Sequence, residues 1–84
     1  MKLGFIGAGR MAEAILRGLI SSKAFSKSSI MISDKDPARS KQISKKFKIK
    51  AAESNVEVTR NSDVIILAVK PQSMHNVLAD IAAK

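Results

Sequence analysis

The sequence contains no cysteine, tryptophan or tyrosine, and only one histidine. The absence of cysteine excludes disulfide bonds and thiolate metal sites. No stretch approaches the roughly 20 consecutive apolar residues that a membrane-spanning helix needs, and Met1 and Lys2 lead into an apolar run without a secretory signal. We therefore expect a cytoplasmic protein without a membrane partner. The 84 residues form at most one small domain.

The formal net charge of +8 raises the question of a nucleic-acid partner. Seven of the fifteen basic residues fall between Lys35 and Lys50, and the chain has only three phenylalanines to stack on bases. We interpret the cluster as a solvated helix face, some of whose cations could meet an anionic cofactor, and expect no nucleic-acid partner. A basic nucleic-acid binder that uses residues 41–50 is the alternative.

Short apolar runs alternate four times with segments of helical periodicity. The strands are predicted at residues 3–6, 30–32, 49–51 and 64–69, and the helices at 11–20, at about 37–46, after Ser54, and from Gln72 or Ser73 onward. The run at 64–69 is continuously apolar, which predicts a central strand buried on both faces. Because the connections are short, the sequence predicts an α/β fold with a Rossmann-like parallel sheet.

The first strand leads directly into a glycine turn that is typical of dinucleotide binding. Gly7 allows the tight turn, Gly9 leaves room for a pyrophosphate, and Ala12 lets the following helix pack closely on the strand. The N-terminus of that helix supplies free amides and a positive dipole end. Asp34 lies twenty-two residues beyond Ala12, where an acid contacts the ribose. A structural turn is the alternative.

Ligands of parallel sheets bind outside the carboxyl ends of the strands, where residues 7–11, 33–35 and 68–72 converge. An acid such as Asp34 accepts hydrogen bonds from ribose hydroxyls and repels a 2′-phosphate, which favours NAD. Ser33, Lys35 and Arg39 could instead bind the 2′-phosphate of NADP, Arg39 as a bidentate donor. The sequence leaves the choice between NADP and NAD open.

Candidate catalytic residues are absent from the sequence. His75, the single histidine, falls away from the apolar stripe of the last helix and has no second metal ligand at a useful spacing. The chain also lacks a nucleophile elbow, a Walker A lysine and a carboxylate pair. We therefore assign no catalytic residue and no metal site.

Five segments of the chain carry a resemblance to a known family: residues 4–14, 17–19, 51–55, 62–63 and the Ala-Val-Lys-Pro-Gln segment at 68–72. They resemble the pyrroline-5-carboxylate reductases, the last enzymes of proline synthesis. The glycine motif is shared by many dehydrogenases, whereas the segment at 68–72 is more specific. The resemblance covers the whole chain.

The resemblance implies hydride transfer from NADPH or NADH to the imine carbon of 1-pyrroline-5-carboxylate, which gives L-proline. The cofactor-binding residues that it implies, with the neighbouring Lys35 added, are Ile6, Gly7, Ala8, Gly9, Arg10, Met11, Asp34, Lys35, Asn55, Ala68, Val69, Lys70 and Pro71. Many relatives have Ser or Asn where this chain has Asp34, so the usual preference for NADPH does not transfer directly.

The resembled enzymes also have a second, helical domain that forms the dimer and holds most of the imine site. We therefore expect residues 1–84 to be the NAD(P)-binding domain of a homo-oligomeric reductase, inactive by themselves. One alternative is the same domain of another dehydrogenase, such as a hydroxyacid dehydrogenase or a deazaflavin-dependent NADP reductase. A second alternative is a non-catalytic dinucleotide-binding module.

Overall fold

Strands and helices alternate along the computed structural model, which describes residues 1–82. The elements are β1 (Leu3–Ile6), α1 (Arg10–Ser22), β2 (Ile30–Ser33), α2 (Pro37–Phe47), β3 (Lys50–Ala51), α3 (Asn55–Asn61), β4 (Val64–Leu67) and α4 (Pro71–Ala82). A single turn of 3-10 helix, Lys27–Ser29, precedes β2. This alternation confirms the predicted α/β fold with a Rossmann-like sheet.

The four strands form one parallel sheet in the order β3-β2-β1-β4. In this sheet Leu3 is in register with Ile30 of β2 and with Val64 of β4. The prediction that β4 is the central strand is wrong for the part of the chain that the structure describes, where β4 lies at one edge and ends at Leu67. A continuous apolar run indicates helical cover on both faces, and it does not report the order of strands within the sheet.

The first strand, β1, is the strand whose two faces are both fully covered. Phe5 belongs to the larger core cluster, which includes Leu16 of α1 and Ile43 of α2. Ile6, the next residue, belongs to a second cluster with Val58 of α3 and residues of α4. Because successive side chains of a strand point to opposite faces, α1 and α2 cover one side of the sheet and α3 and α4 the other.

Local capping signals determine where the helices begin. The Asp36 side chain accepts a hydrogen bond from the Ala38 amide at 3.1 Å, and Pro37 occupies the first position of α2. Ser54 caps α3 by accepting from the Glu57 amide at 3.1 Å. The last helix, α4, begins at Pro71, which is earlier than predicted. Proline favours the first helical position because its missing N–H is not needed there.

Candidate functional site

A cleft of about 220 Å³ lies at the carboxyl ends of β1, β2 and β4. Its lining residues come from the end of β1, the glycine turn, the loop after β2, the start of α3, the β4–α4 connection and α4: Ile6, Gly7, Gly9, Asp34, Lys35, Asn55, Ala68, Val69, Lys70, Ser73 and Val77. Most of the residues predicted to hold a cofactor are therefore brought together. Four of the predicted residues are not among the lining residues: Ala8, Arg10, Met11 and Pro71.

The glycine turn packs tightly against the end of β4. Gly7 has a φ of +105°, and its amide donates to the Ser33 carbonyl oxygen at 2.8 Å. A Cβ at this position would lie 2.7 Å from the carbonyl carbon of Ala68 and closer still to its oxygen. The backbone at Gly7 is therefore held between the ends of β2 and β4, in a conformation that only glycine adopts readily.

Gly9 differs from Gly7 because the space above it is open. A Cβ built on Gly9 would meet no atom within 4 Å, and the residue is exposed. Gly9 is also the N-cap of α1 and makes no side-chain capping bond, and Arg10 and Met11 follow it as exposed residues of the first turn. The amides of this turn lack intrahelical acceptors, so they and the helix dipole favour an anion here.

Asp34 lines the cleft and also fixes the shape of the turn. One of its carboxylate oxygens accepts from the Ala8 amide at 2.7 Å, and the other accepts from the Asp36 amide at 2.8 Å. Ala8, which lies in the turn between Gly7 and Gly9, is fully buried. The acid at position 34 therefore supports the backbone that approaches the ligand, in addition to any contact that it makes with a ribose.

Two of the three residues considered for a 2′-phosphate are engaged elsewhere. Ser33 is buried and donates from its hydroxyl to the amide oxygen of Asn55 at 2.7 Å. Arg39 donates from Nε to the Ala8 carbonyl oxygen and from its terminal nitrogens to Glu13 and Gln42. Only Lys35 of this group lines the cleft, and its side chain is exposed.

Glu13 of α1 forms ion pairs with three basic side chains near the turn. Its carboxylate contacts Lys46 at 2.5 Å, Arg17 at 3.0 Å and Arg39 at 3.3 Å. The hydrogen bond from Lys46 is the main cause that lowers the pKa of Glu13 below its ordinary value of 4.5. Glu13 is therefore ionised at neutral pH, and it compensates part of the positive charge between α1 and α2.

Sequence analysis did not assign Ser73 and Val77 of α4 to the cleft. Because α4 begins at Pro71, these two residues, four apart, share the helix face that meets the cleft. Leu78, the neighbour of Val77 in α4, is 45% exposed. The proline itself is the signal that would have placed the start of the helix, and with it this face, correctly.

The described part of the chain offers little for other kinds of site. Among the side chains that the structure describes, no group of three from His, Cys, Asp or Glu could hold a metal ion, and His75 is exposed on α4. None of the described helices is both long enough and apolar enough to cross a membrane.

Comparison with known proteins identifies relatives over the whole chain. Residues 2–84 match the family model described as "NADP oxidoreductase coenzyme F420-dependent". A pyrroline-5-carboxylate reductase of Synechocystis sp. is 39% identical over 82 residues, which are 98% of this chain and 31% of that relative. The chain thus spans less than a third of the length of this relative.

Two solved structures show the same arrangement of the backbone. A pyrroline-5-carboxylate reductase from Coxiella burnetii superposes with a TM-score of 0.83 at 29% identity, over 99% of this chain and 32% of that chain. A pyrroline carboxylate reductase from Plasmodium falciparum, solved with NADP bound, superposes with a TM-score of 0.81 at 30% identity, over 96% of this chain and 28% of that chain.

Proposed function

Because the chain belongs to the family of coenzyme F420-dependent NADP oxidoreductases, we propose that it is the dinucleotide-binding domain of a pyrroline-5-carboxylate reductase. In such an enzyme the bound NADPH or NADH supplies a hydride to the imine carbon of 1-pyrroline-5-carboxylate, which gives L-proline and completes proline biosynthesis. The observation that carries the proposal is the uncapped N-terminus of α1, which opens beside Gly9 into the cleft at the carboxyl ends of the strands.

Different residues of the cleft contact different parts of the cofactor. Gly9 and the first amides of α1, from Arg10 and Met11, hold the pyrophosphate, because these amides point outward from an uncapped helix. Asp34 and Lys35 face the adenosine ribose. The remaining contacts come from Ile6, Gly7, Ala8, Asn55, Ala68, Val69, Lys70 and Pro71, most of which line the same cleft.

Both NADP and NAD fit the charges at the end of β2. The carboxylate of Asp34 repels a 2′-phosphate, and the exposed ammonium group of Lys35 next to it attracts one. The relative that was solved with NADP bound favours NADP. In such an enzyme the imine site and the dimer interface belong to a helical domain outside these residues. Residues 1–84 alone should therefore bind the cofactor without turnover. The proposed location of the enzyme is the cytoplasm.

Replacing Gly9 by valine tests the cofactor site. We expect the affinity for NADPH to fall about a hundredfold, the equivalent of one or two hydrogen bonds to a charged phosphate, because the side chain fills the space that the pyrophosphate needs. The thermal midpoint should stay close to that of the wild type, since a Cβ at Gly9 meets no protein atom within 4 Å. Calorimetric titration and a thermal melt measure the two effects.

Gly18→Val provides the matched control for this substitution. Gly18 lies on an exposed face of α1, and a Cβ there also meets nothing within 4 Å. This variant should bind NADPH like the wild type, with a small gain in helix stability because valine has a higher helix propensity than glycine. Unchanged affinity in the Gly9→Val variant would contradict the assignment of Gly9 to the pyrophosphate site.

The reaction itself is tested with the complete product of the reading frame. We expect oxidation of NADPH or NADH, followed by absorbance, that depends on added 1-pyrroline-5-carboxylate. The description of the matched family favours a second candidate, a deazaflavin-dependent NADP reductase. Reduction of NADP by a reduced deazaflavin, without any activity towards the imine, would replace the first candidate by the second.

A further inference from the structure

We propose that Arg39 is a positioning residue for the dinucleotide site, which acts through the backbone of Ala8 and not through a contact with the cofactor. The inference rests on the proposed function, because it assigns the role to the site described above. It also replaces the interpretation of Arg39 as a ligand of a 2′-phosphate. The observation that carries the inference is that two side chains, Asp34 just after β2 and Arg39 of α2, bind the amide and the carbonyl oxygen of Ala8.

Ala8 lies at the middle of the glycine turn and is fully buried. Its amide donates to the carboxylate of Asp34 at 2.7 Å, and its carbonyl oxygen accepts from Nε of Arg39 at 2.5 Å. Hydrogen bonds to charged groups are stronger than those between neutral groups, and here they restrain one residue from opposite sides. The orientation of the next peptides, which lead to Gly9 and the start of α1, depends on this restraint.

The contacts of the guanidinium group explain why an arginine suits this position. Beyond the bond to Ala8, one terminal nitrogen donates to Gln42 at 3.0 Å within α2, and the other donates to Glu13 of α1 at 3.3 Å. A planar guanidinium presents its donors in a fixed fork, so it can join three acceptors that a single ammonium group cannot reach together. Arg39 therefore links the turn, α1 and α2.

The position of Arg39 predicts how its loss affects different dinucleotides. Arg39 does not line the cleft, and its three nitrogens already have acceptors. If Arg39 acts through the turn, its loss weakens the binding of every ligand that uses the pyrophosphate site, with or without a 2′-phosphate. If Arg39 binds the 2′-phosphate directly, its loss weakens the binding of NADP alone. The ratio of the two affinities separates the two roles.

The experiment measures the affinity of the chain for NADP⁺ and NAD⁺ by calorimetry in Arg39→Met, Arg39→Lys and a matched control. We expect Arg39→Met to lower the affinity for both ligands about tenfold, the effect of one charge-assisted hydrogen bond. The ratio of the affinity for NADP⁺ to that for NAD⁺ should stay unchanged. Arg39→Lys recovers part of the loss for both, because lysine can still donate to the Ala8 carbonyl. Lys41→Met removes an exposed cation of the same helix and binds like the wild type.

Two results would overturn the proposal: a loss confined to NADP⁺, or unchanged affinity for both ligands in Arg39→Met. If Arg39→Met fails to fold, the affinities for NADP⁺ and NAD⁺ are compared in Arg39→Lys and Glu13→Gln. Each of these variants is expected to bind both ligands more weakly, by the same factor. The Nε proton of Arg39 is followed by NMR in the free protein. Slow exchange of this proton supports the contact with Ala8 even if neither dinucleotide binds, and rapid exchange overturns it, so failure of the proposed function remains distinguishable.

Discussion

Substitution of Gly7 by alanine is expected to destabilise the fold by about 3 kcal/mol or more and to abolish dinucleotide binding. Two independent effects combine at this residue. The φ of +105° is strained for any residue with a Cβ, and the added methyl group overlaps the carbonyl group of Ala68 at the end of β4. Because the obstructing atoms belong to backbone, a rotamer change cannot relieve the overlap.

Urea unfolding of the Gly7→Ala and Gly9→Ala variants measures this effect. Gly9 lies in the same turn with a φ of −83°, and a Cβ there meets no atom within 4 Å, so Gly9→Ala should unfold close to the wild-type midpoint. A Gly7→Ala variant as stable as Gly9→Ala would show that the turn can move away from β4. The β1–β4 register would then not constrain the geometry of the cofactor site.

The order of the elements and the starts of β1, α2 and α3 could be predicted because their signals are local. The apolar run at Leu3–Ile6 and the Asp36-Pro37 pair each act within a few residues, through burial or through capping of adjacent amides. The same holds for Ser54, whose hydroxyl needs only the amide of Glu57 three residues later. Such signals do not depend on how the sheet assembles.

The position of β4 at a sheet edge could not be predicted, because strand order depends on which strands pair. The contacts of Ser33 and Arg39 were missed for a related reason. Arg39 reaches Ala8 across thirty-one positions of sequence, and Ser33 reaches Asn55 across twenty-two. Local sequence placed both side chains near a phosphate, whereas long-range packing gives them protein partners. The assignment of individual residues to the cofactor stays a prediction.

Gly4 of β1 is the second position at which a single methyl group should have a large effect. A Cβ on Gly4 would lie 2.5 Å from Cγ1 of Val58 and would overlap Oγ of Ser62. Val58 is fully buried in α3, so it has little room to move. We expect Gly4→Ala to lower the free energy of unfolding by about 2 to 3 kcal/mol, the upper range for an overpacked core. Thermal and urea unfolding measure the change.

A double-mutant cycle with Val58→Ala identifies the cause of this loss. If overlap with Val58 destabilises Gly4→Ala, the added methyl group partly fills the space that Val58→Ala vacates. The double variant should then be more stable than the sum of the single effects by at least about 1 kcal/mol. Additive effects would instead attribute the loss to Ser62, whose Oγ lies closer to the added methyl group than Val58 does, or to a shift of α3 as a body. Since Asn55 at the start of α3 lines the cleft, such a shift would also weaken the binding of the cofactor. Local overlap would leave the affinity for the cofactor unchanged.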